Sequence, residues 1–159
     1  MRKRFAEFNV PIPWFERCWS LEDLSKIASR HPYPFVIKPV DNMGARGVMK
    51  IVNENFLESA FNNAKKSSPS GELIVEDYLD GPELSIDALV FHGKITITGI
   101  ADRIIEREPY FIETGHVMPS ALDAKILDEA CEVFKAGIRA LNIQNGADRK
   151  STRLNSSHS

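Results

Sequence analysis

Two stretches of the chain gather residue types that could handle a phosphorylated ligand. The first is VIKPVDNMGARGV, residues 36–48. Lys38 closes the apolar run Phe35-Val-Ile, so its ammonium emerges at the end of a buried strand. Gly44 and Gly47 allow positive φ and carry no side chain, so the loop around them can turn backbone N–H groups toward an anion. A cation beside such a loop neutralises phosphate charge. The spacing matches neither a P-loop nor a dinucleotide fingerprint. Taken alone, the stretch is more often a glycine turn with a snorkelling lysine.

The second stretch is LIVEDYLDGPELSID, residues 73–87. A strand ends on Glu76, followed by Asp77-Tyr-Leu79 and the turn Gly81-Pro82-Glu83. Backbone at a strand end can offer one C=O and one N–H to an adenine edge. A carboxylate a few residues on can accept hydrogen bonds from two ribose hydroxyls. The plainer reading is a surface turn with solvated acids.

These stretches need elements to hold them. Pro11 and Pro13 make VPIP an extended passage. Ser20 reads as an N-cap with Asp23 completing an approximate capping box, so a helix is expected over about 21–30. The pattern then predicts strands over 35–37 and 48–52, a helix over 53–66 and a strand over 73–76. Alternation over 84–91 and a turn at His92-Gly-Lys predict a hairpin with 95–100. A last helix spans 123–141, with Ile126, Leu127, Ala130, Val133, Phe134, Ile138 and Leu141 inward. This order implies an α+β fold in two small sub-lobes.

The composition sets outer limits. With 43% hydrophobic and 26% charged residues in 159 positions, the chain is an ordinary globular one, neither disordered nor collagenous. A formal charge of −2 argues against a general nucleic-acid binder. No apolar run approaches the ~20 residues that cross a bilayer. Cys18 and Cys131 match no metal-ligand spacing, so a reducing, cytoplasmic setting is expected.

In this order and separation the two stretches resemble the ATP-grasp superfamily of ATP-dependent carboxylate–amine ligases. The shared pattern is a strand ending in Lys-Pro, a glycine-rich loop, a hinge of the form E-x-x-L-x-G-x-E, then a hairpin. PYFIETGHVMPS further resembles the E-x-G-H-x-x-P-S segment of the L-amino-acid ligase type. The resemblance implies two α+β sub-lobes holding ATP between them, about 1–78 and 79–147. It implies that Lys38 contacts the α- and β-phosphates and that Gly44, Ala45, Arg46 and Gly47 cover the phosphates. Many members carry Ser where Ala45 stands, so here backbone N–H groups serve instead. Asp77 and Leu79 would meet adenine through their backbones, Glu76 its amino group, and Glu83 the ribose. Glu113 and His116 are candidates for the amino-acid side, and Arg103 a weaker one. The reaction implied forms an amide from a carboxylate and an amine through an acyl phosphate. Its cofactors are ATP and Mg²⁺, and its partners are small molecules, amino acids foremost, with no nucleic acid and no membrane. The alternatives are a carboxylase or synthetase of the purine or carbamoyl-phosphate type, and a nucleotide-binding module without catalysis.

Residues 148–159 break the pattern. Asp148 to His158 back-translates codon for codon to a segment resembling a common sequencing adapter. We therefore expect a disordered, non-native tail there, a partial ATP-grasp domain over 1–147, and Mg²⁺ ligands lying beyond Ala147. Such a piece is expected to hold part of the ATP site and to be inactive alone. The tail contributes three basic residues and one acidic, so −2 becomes −4 without it.

Overall fold

The computed structural model of the chain describes residues 1–106 and 109–153. In chain order the elements begin with α1 (Arg2–Glu7), β1 (Phe15–Cys18), α2 (Leu21–Ala28), β2 (Phe35–Pro39) and β3 (Met49–Ile51). A 3-10 turn at Glu54–Phe56 leads into α3 (Leu57–Lys66), then β4 (Leu73–Asp77) and β5 (Glu83–Phe91). The chain continues with β6 (Lys94–Glu106), β7 (Ile112–Val117), α4 (Ala124–Ala140) and β8 (Gly146–Arg153). It divides into two units, one of Pro13–Tyr78 with Ile105–Glu113, the other of Met1–Ile12, Leu79–Ile104 and the chain from Thr114.

The first unit is an antiparallel sheet, β1-β4-β2-β3, with one face under α2 and α3. Phe35 and Ile37 of β2, Leu73 and Val75 of β4, and Met49 and Ile51 of β3 point into that core, meeting Leu24, Ile27, Ala60, Phe61 and Ala64. A fully buried side chain such as Phe35 contributes about 1.5–3 kcal/mol. Strand alternation leaves Val36, Lys38, Ile74 and Glu76 on the opposite face. The expected cap of α2 is present in full. Ser20 Oγ accepts from the Asp23 N–H at 3.1 Å, and the Asp23 carboxylate accepts from the Ser20 N–H at 3.0 Å. Hydrogen bonds from the Trp19 N–H, foremost, and from Ser20 hold the Asp23 carboxyl below its ordinary value.

The second unit is built on the sheet β7-β6-β5-β8, in which β5 pairs antiparallel with β6 and with β8, and α4 packs on it. His92 and Gly93, with φ of 46° and 75°, make the tight β5–β6 connection. Leu84, Ile86, Ala88 and Val90 meet Ala130, Phe134 and Ile138. Ile126, expected inward, is 39% exposed because it precedes the part of α4 that docks on the sheet. Arg4 Nε donates to the Ala140 carbonyl at 2.9 Å, and Phe5 lies beside Gly137, which seats α1 on α4.

Several elements differ from those expected. β1 follows the VPIP passage in a stretch where no strand was expected, because a four-residue strand of the sequence FERC shows no apolar alternation. α1 buries no residue and so has no apolar stripe to read. β6 runs on to Glu106, well past Ile100, and β7 was not expected. Gly146–Arg153, expected to be disordered from Asp148 on, is a strand that pairs with β5 from Glu83 to Val90. Antiparallel pairing uses only main-chain N–H and C=O groups, so the edge of β5 accepts any extended segment irrespective of its side chains. No helix among the described residues is long and apolar enough to cross a membrane.

Replacing Ser20 with Ala removes one half of the α2 cap. Urea unfolding should show a loss of about 1 kcal/mol, and unchanged stability would show that the cap contributes nothing.

Candidate functional site

Lys38 and Glu76 meet on the open face of the first sheet. Val36 lies opposite Glu76 in the β2–β4 register, so Lys38, two residues on, is its diagonal neighbour. The ammonium and carboxylate form a hydrogen-bonded ion pair. Glu76 is only 5% exposed, whereas the Lys38 side chain keeps 32%. One partner is thus buried and the other reaches solvent, the arrangement that lets a lysine receive a second anion.

The glycine loop follows directly. Gly44, Ala45 and Gly47 have φ of 68°, 57° and 76°, while Arg46 does not share the left-handed backbone. Left-handed residues on both sides of Arg46 are the kind of backbone from which anion-binding nests are built. Left-handed backbone at Ala45 costs about 1 kcal/mol, a strain that glycine avoids. Residues 41–46 are exposed, but the roots of the loop are tied down. Asn42 Nδ2 donates to the Ser67 carbonyl at 2.6 Å. Asp41 accepts from Ser68 Oγ at 2.8 Å and from the Ser70 N–H at 2.6 Å. These hydrogen bonds, those from Ser70 foremost, hold the Asp41 carboxyl below its usual range. At Gly47 a Cβ atom would lie 2.6 Å from Ser67 Cβ, so only glycine fits there.

Asp77 ends β4 with its side chain turned to the core face. One carboxylate oxygen accepts from the Trp14 N–H at 3.0 Å and the other lies 2.7 Å from His31 Nε2. The main chain that follows leads to Tyr78, whose ring carries the Lys50 ammonium 3.9 Å from its centroid and stacks with Phe111. Leu79, half-buried, opens the second unit.

In the second unit Glu83 starts β5 and forms an ion pair with Arg103 of β6. The Leu84–Asp102 register sets the two side by side, and their side chains are 17% and 16% exposed. Arg103, considered from the sequence for the substrate side, is therefore a partner of Glu83. Glu113 and His116 both lie on β7 and are exposed. Three residues apart on a strand, they face opposite sides of it. Asp102 accepts hydrogen bonds from Ser120 Oγ and the Ala121 N–H and thereby ties the turn after β7 to β6.

The sequence reading missed the side-chain partners of Asp77 and the Asp41–Ser68–Ser70 clasp. His31 lies 46 residues from Asp77, and Asp41 lies 27 from Ser68, and no local spacing announces either. Among the described residues no three His, Cys, Asp or Glu side chains come together to hold a metal ion.

A model of the ATP-grasp domain family matches residues 31–157. The ATP-grasp enzyme fsqD of Aspergillus fumigatus is 26% identical over 136 residues, which cover 79% of this chain and 24% of that protein. The carbamoyl phosphate synthase large chain of Archaeoglobus fulgidus is 28% identical over 148 residues, 89% of this chain and 14% of that one. The solved L-amino acid ligase of Bacillus licheniformis superposes with a TM-score of 0.82 at 24% identity, over 98% of this chain and 36% of that chain. The chain therefore spans less than a quarter of either curated relative.

The two loop glycines should respond differently to alanine. Gly44→Ala meets open space and loses about 1 kcal/mol to backbone strain alone. Gly47→Ala adds the collision with Ser67 and should lose about 2–3 kcal/mol. Equal losses in denaturant unfolding would contradict this account of the loop root.

Proposed function

The chain belongs to the ATP-grasp domain family, whose enzymes are ligases, and on that premise we propose that it carries the nucleotide-binding part of an ATP-dependent carboxylate–amine ligase. The observation that carries this reading is the Lys38–Glu76 pair beside the glycine loop. Lys38 binds the α- and β-phosphates, because its ammonium is the solvent-reaching member of that pair. The N–H groups of Gly44 to Gly47 close on the phosphates, with the Arg46 guanidinium available as a further cation. The main chain of Asp77 and Leu79 meets the adenine edge, and Glu76 its amino group. Glu83 accepts from the ribose hydroxyls, with Arg103 fixing its carboxylate.

The chemistry asks little of protein side chains beyond position and charge. A substrate carboxylate oxygen bonds to the γ-phosphorus while the bond to the β-phosphate oxygen breaks, and ADP leaves. An amine nitrogen then attacks the acyl carbon, losing a proton, and phosphate departs as the amide forms. Of Glu113 and His116, which face opposite sides of β7, one meets the amino-acid substrate, so each is to be tested alone. Mg²⁺, which the resemblance implies, finds no set of ligands among the described residues. The likeness to the L-amino acid ligase supports amino acids as substrates. A second reading, a synthetase of the carbamoyl-phosphate type, is favoured by the 28% identity to that large chain.

Titration of the chain with ATP should give saturable binding, weakened about tenfold or more in Lys38→Met, with both proteins confirmed folded by circular dichroism. Wild-type protein that binds no ATP would overturn the reading. With ATP and amino-acid pairs the chain of 159 residues should release no ADP above background. ADP release from the complete enzyme with amino-acid pairs, against release with bicarbonate, separates the two readings.

A further inference from the structure

We propose that His31 is a positioning residue for nucleotide recognition, acting through Asp77 to hold the strand end whose main chain meets adenine. This rests on the ATP reading above and deepens it. Nothing in the sequence singles out His31, which stands before Pro32 where α2 is broken.

The structure gives it a fixed place. Its N–H donates to the Ile27 carbonyl at 2.9 Å, so it continues the last turn of α2. Its ring lies parallel to that of Trp14, with centroids 3.9 Å apart and 13° between planes. Phe35 meets the ring edge-on at 6.2 Å. Stacked on Trp14, met edge-on by Phe35 and only 15% exposed, the imidazole places Nε2 2.7 Å from Asp77 Oδ1.

Asp77 is bound on three counts by this assembly. One carboxylate oxygen takes His31, and the other takes the Trp14 N–H at 3.0 Å. Its own N–H donates to the Trp14 carbonyl at 3.1 Å. Phe35, which meets the His31 ring edge-on, is also the first residue of β2 and stands opposite Asp77 in the register. A strand end is where pairing ordinarily frays. Here helix α2, the segment before β1, and β2 all converge on the final residue of β4. The next peptide groups are those proposed to read the adenine edge. Two hydrogen bonds to a planar edge need donor and acceptor placed within about 0.5 Å, a tolerance a fraying strand does not meet.

The test compares two ligands that share phosphates but not the base, ATP and inorganic tripolyphosphate, in calorimetric titrations of the chain. His31→Phe keeps a ring for the stack and removes the hydrogen bond. His31→Gln gives up the stack and keeps a donor for Asp77. His31→Phe should weaken ATP about fivefold to tenfold and leave tripolyphosphate within about twofold of wild type. His31→Gln should recover most of the ATP affinity even if its Tm is lower. Wild-type affinity for ATP in His31→Phe would overturn the proposal. So would a parallel loss for both ligands that follows Tm in the two variants, since that is what a merely structural histidine produces. Failure of the underlying ATP reading has a different signature, wild-type protein that binds neither ligand or binds tripolyphosphate as well as ATP.

Discussion

A lysine and a glutamate on neighbouring strands form the contact on which this site depends. Lys38 and Glu76 pair across β2 and β4, with the carboxylate almost wholly removed from water. A buried carboxylate without a cation is expensive, on the order of several kcal/mol. Glu76 therefore holds the ammonium at the strand end, and its charge is compensated only while the register between β2 and β4 holds. That register is set by the opposite face, where Phe35, Ile37, Leu73 and Val75 are packed under the helices. A one-residue slip of either strand would turn its member of the pair into the apolar core. The hydrophobic face thus decides where the charged pair stands.

The remaining candidate groups depend on the same strands. β2 runs directly into the glycine loop, and β4 runs directly into Asp77 and the residues after it. Both exits are fastened by side chains. Asp41, Asn42 and Gly47 fix the loop to the residues following α3, and His31 with Trp14 fixes Asp77. Between its roots the loop stays exposed and carries left-handed backbone at Ala45, where the side chain makes that conformation costly. In the second unit the Glu83–Arg103 pair repeats the device of a carboxylate oriented by a cation on the adjacent strand.

Much of this was legible in the residues, for identifiable reasons. Ser20 and Asp23 form a local cap, and their spacing alone announces it. Phe35-Val-Ile-Lys-Pro and the two glycines after it sit in one continuous stretch, so strand, cation and loop could be read together. The fold family followed from the order of such stretches, and the family match over 31–157 agrees with it. What escaped depends on contacts between distant parts of the chain. β1 is a short charged edge strand whose partner β4 lies nearly 60 residues on. α1 owes its place to Arg4 and Phe5 meeting α4 at the other end of the chain. The pairing of Arg103 with Glu83 needed the β5–β6 register, and β6 extends past Ile100 through Ala-Asp-Arg-Ile-Ile-Glu, which does not alternate.

The most direct measurement of the central claim is a titration of isotopically labelled chain with ATP, followed by amide chemical shifts. The account predicts that shifts concentrate at 44–47 and 77–79, with the amides of α3 and of the β2–β3 core little changed. Shifts confined to other surfaces, or none at saturating ATP, would contradict the assignment of these two strand exits to the nucleotide.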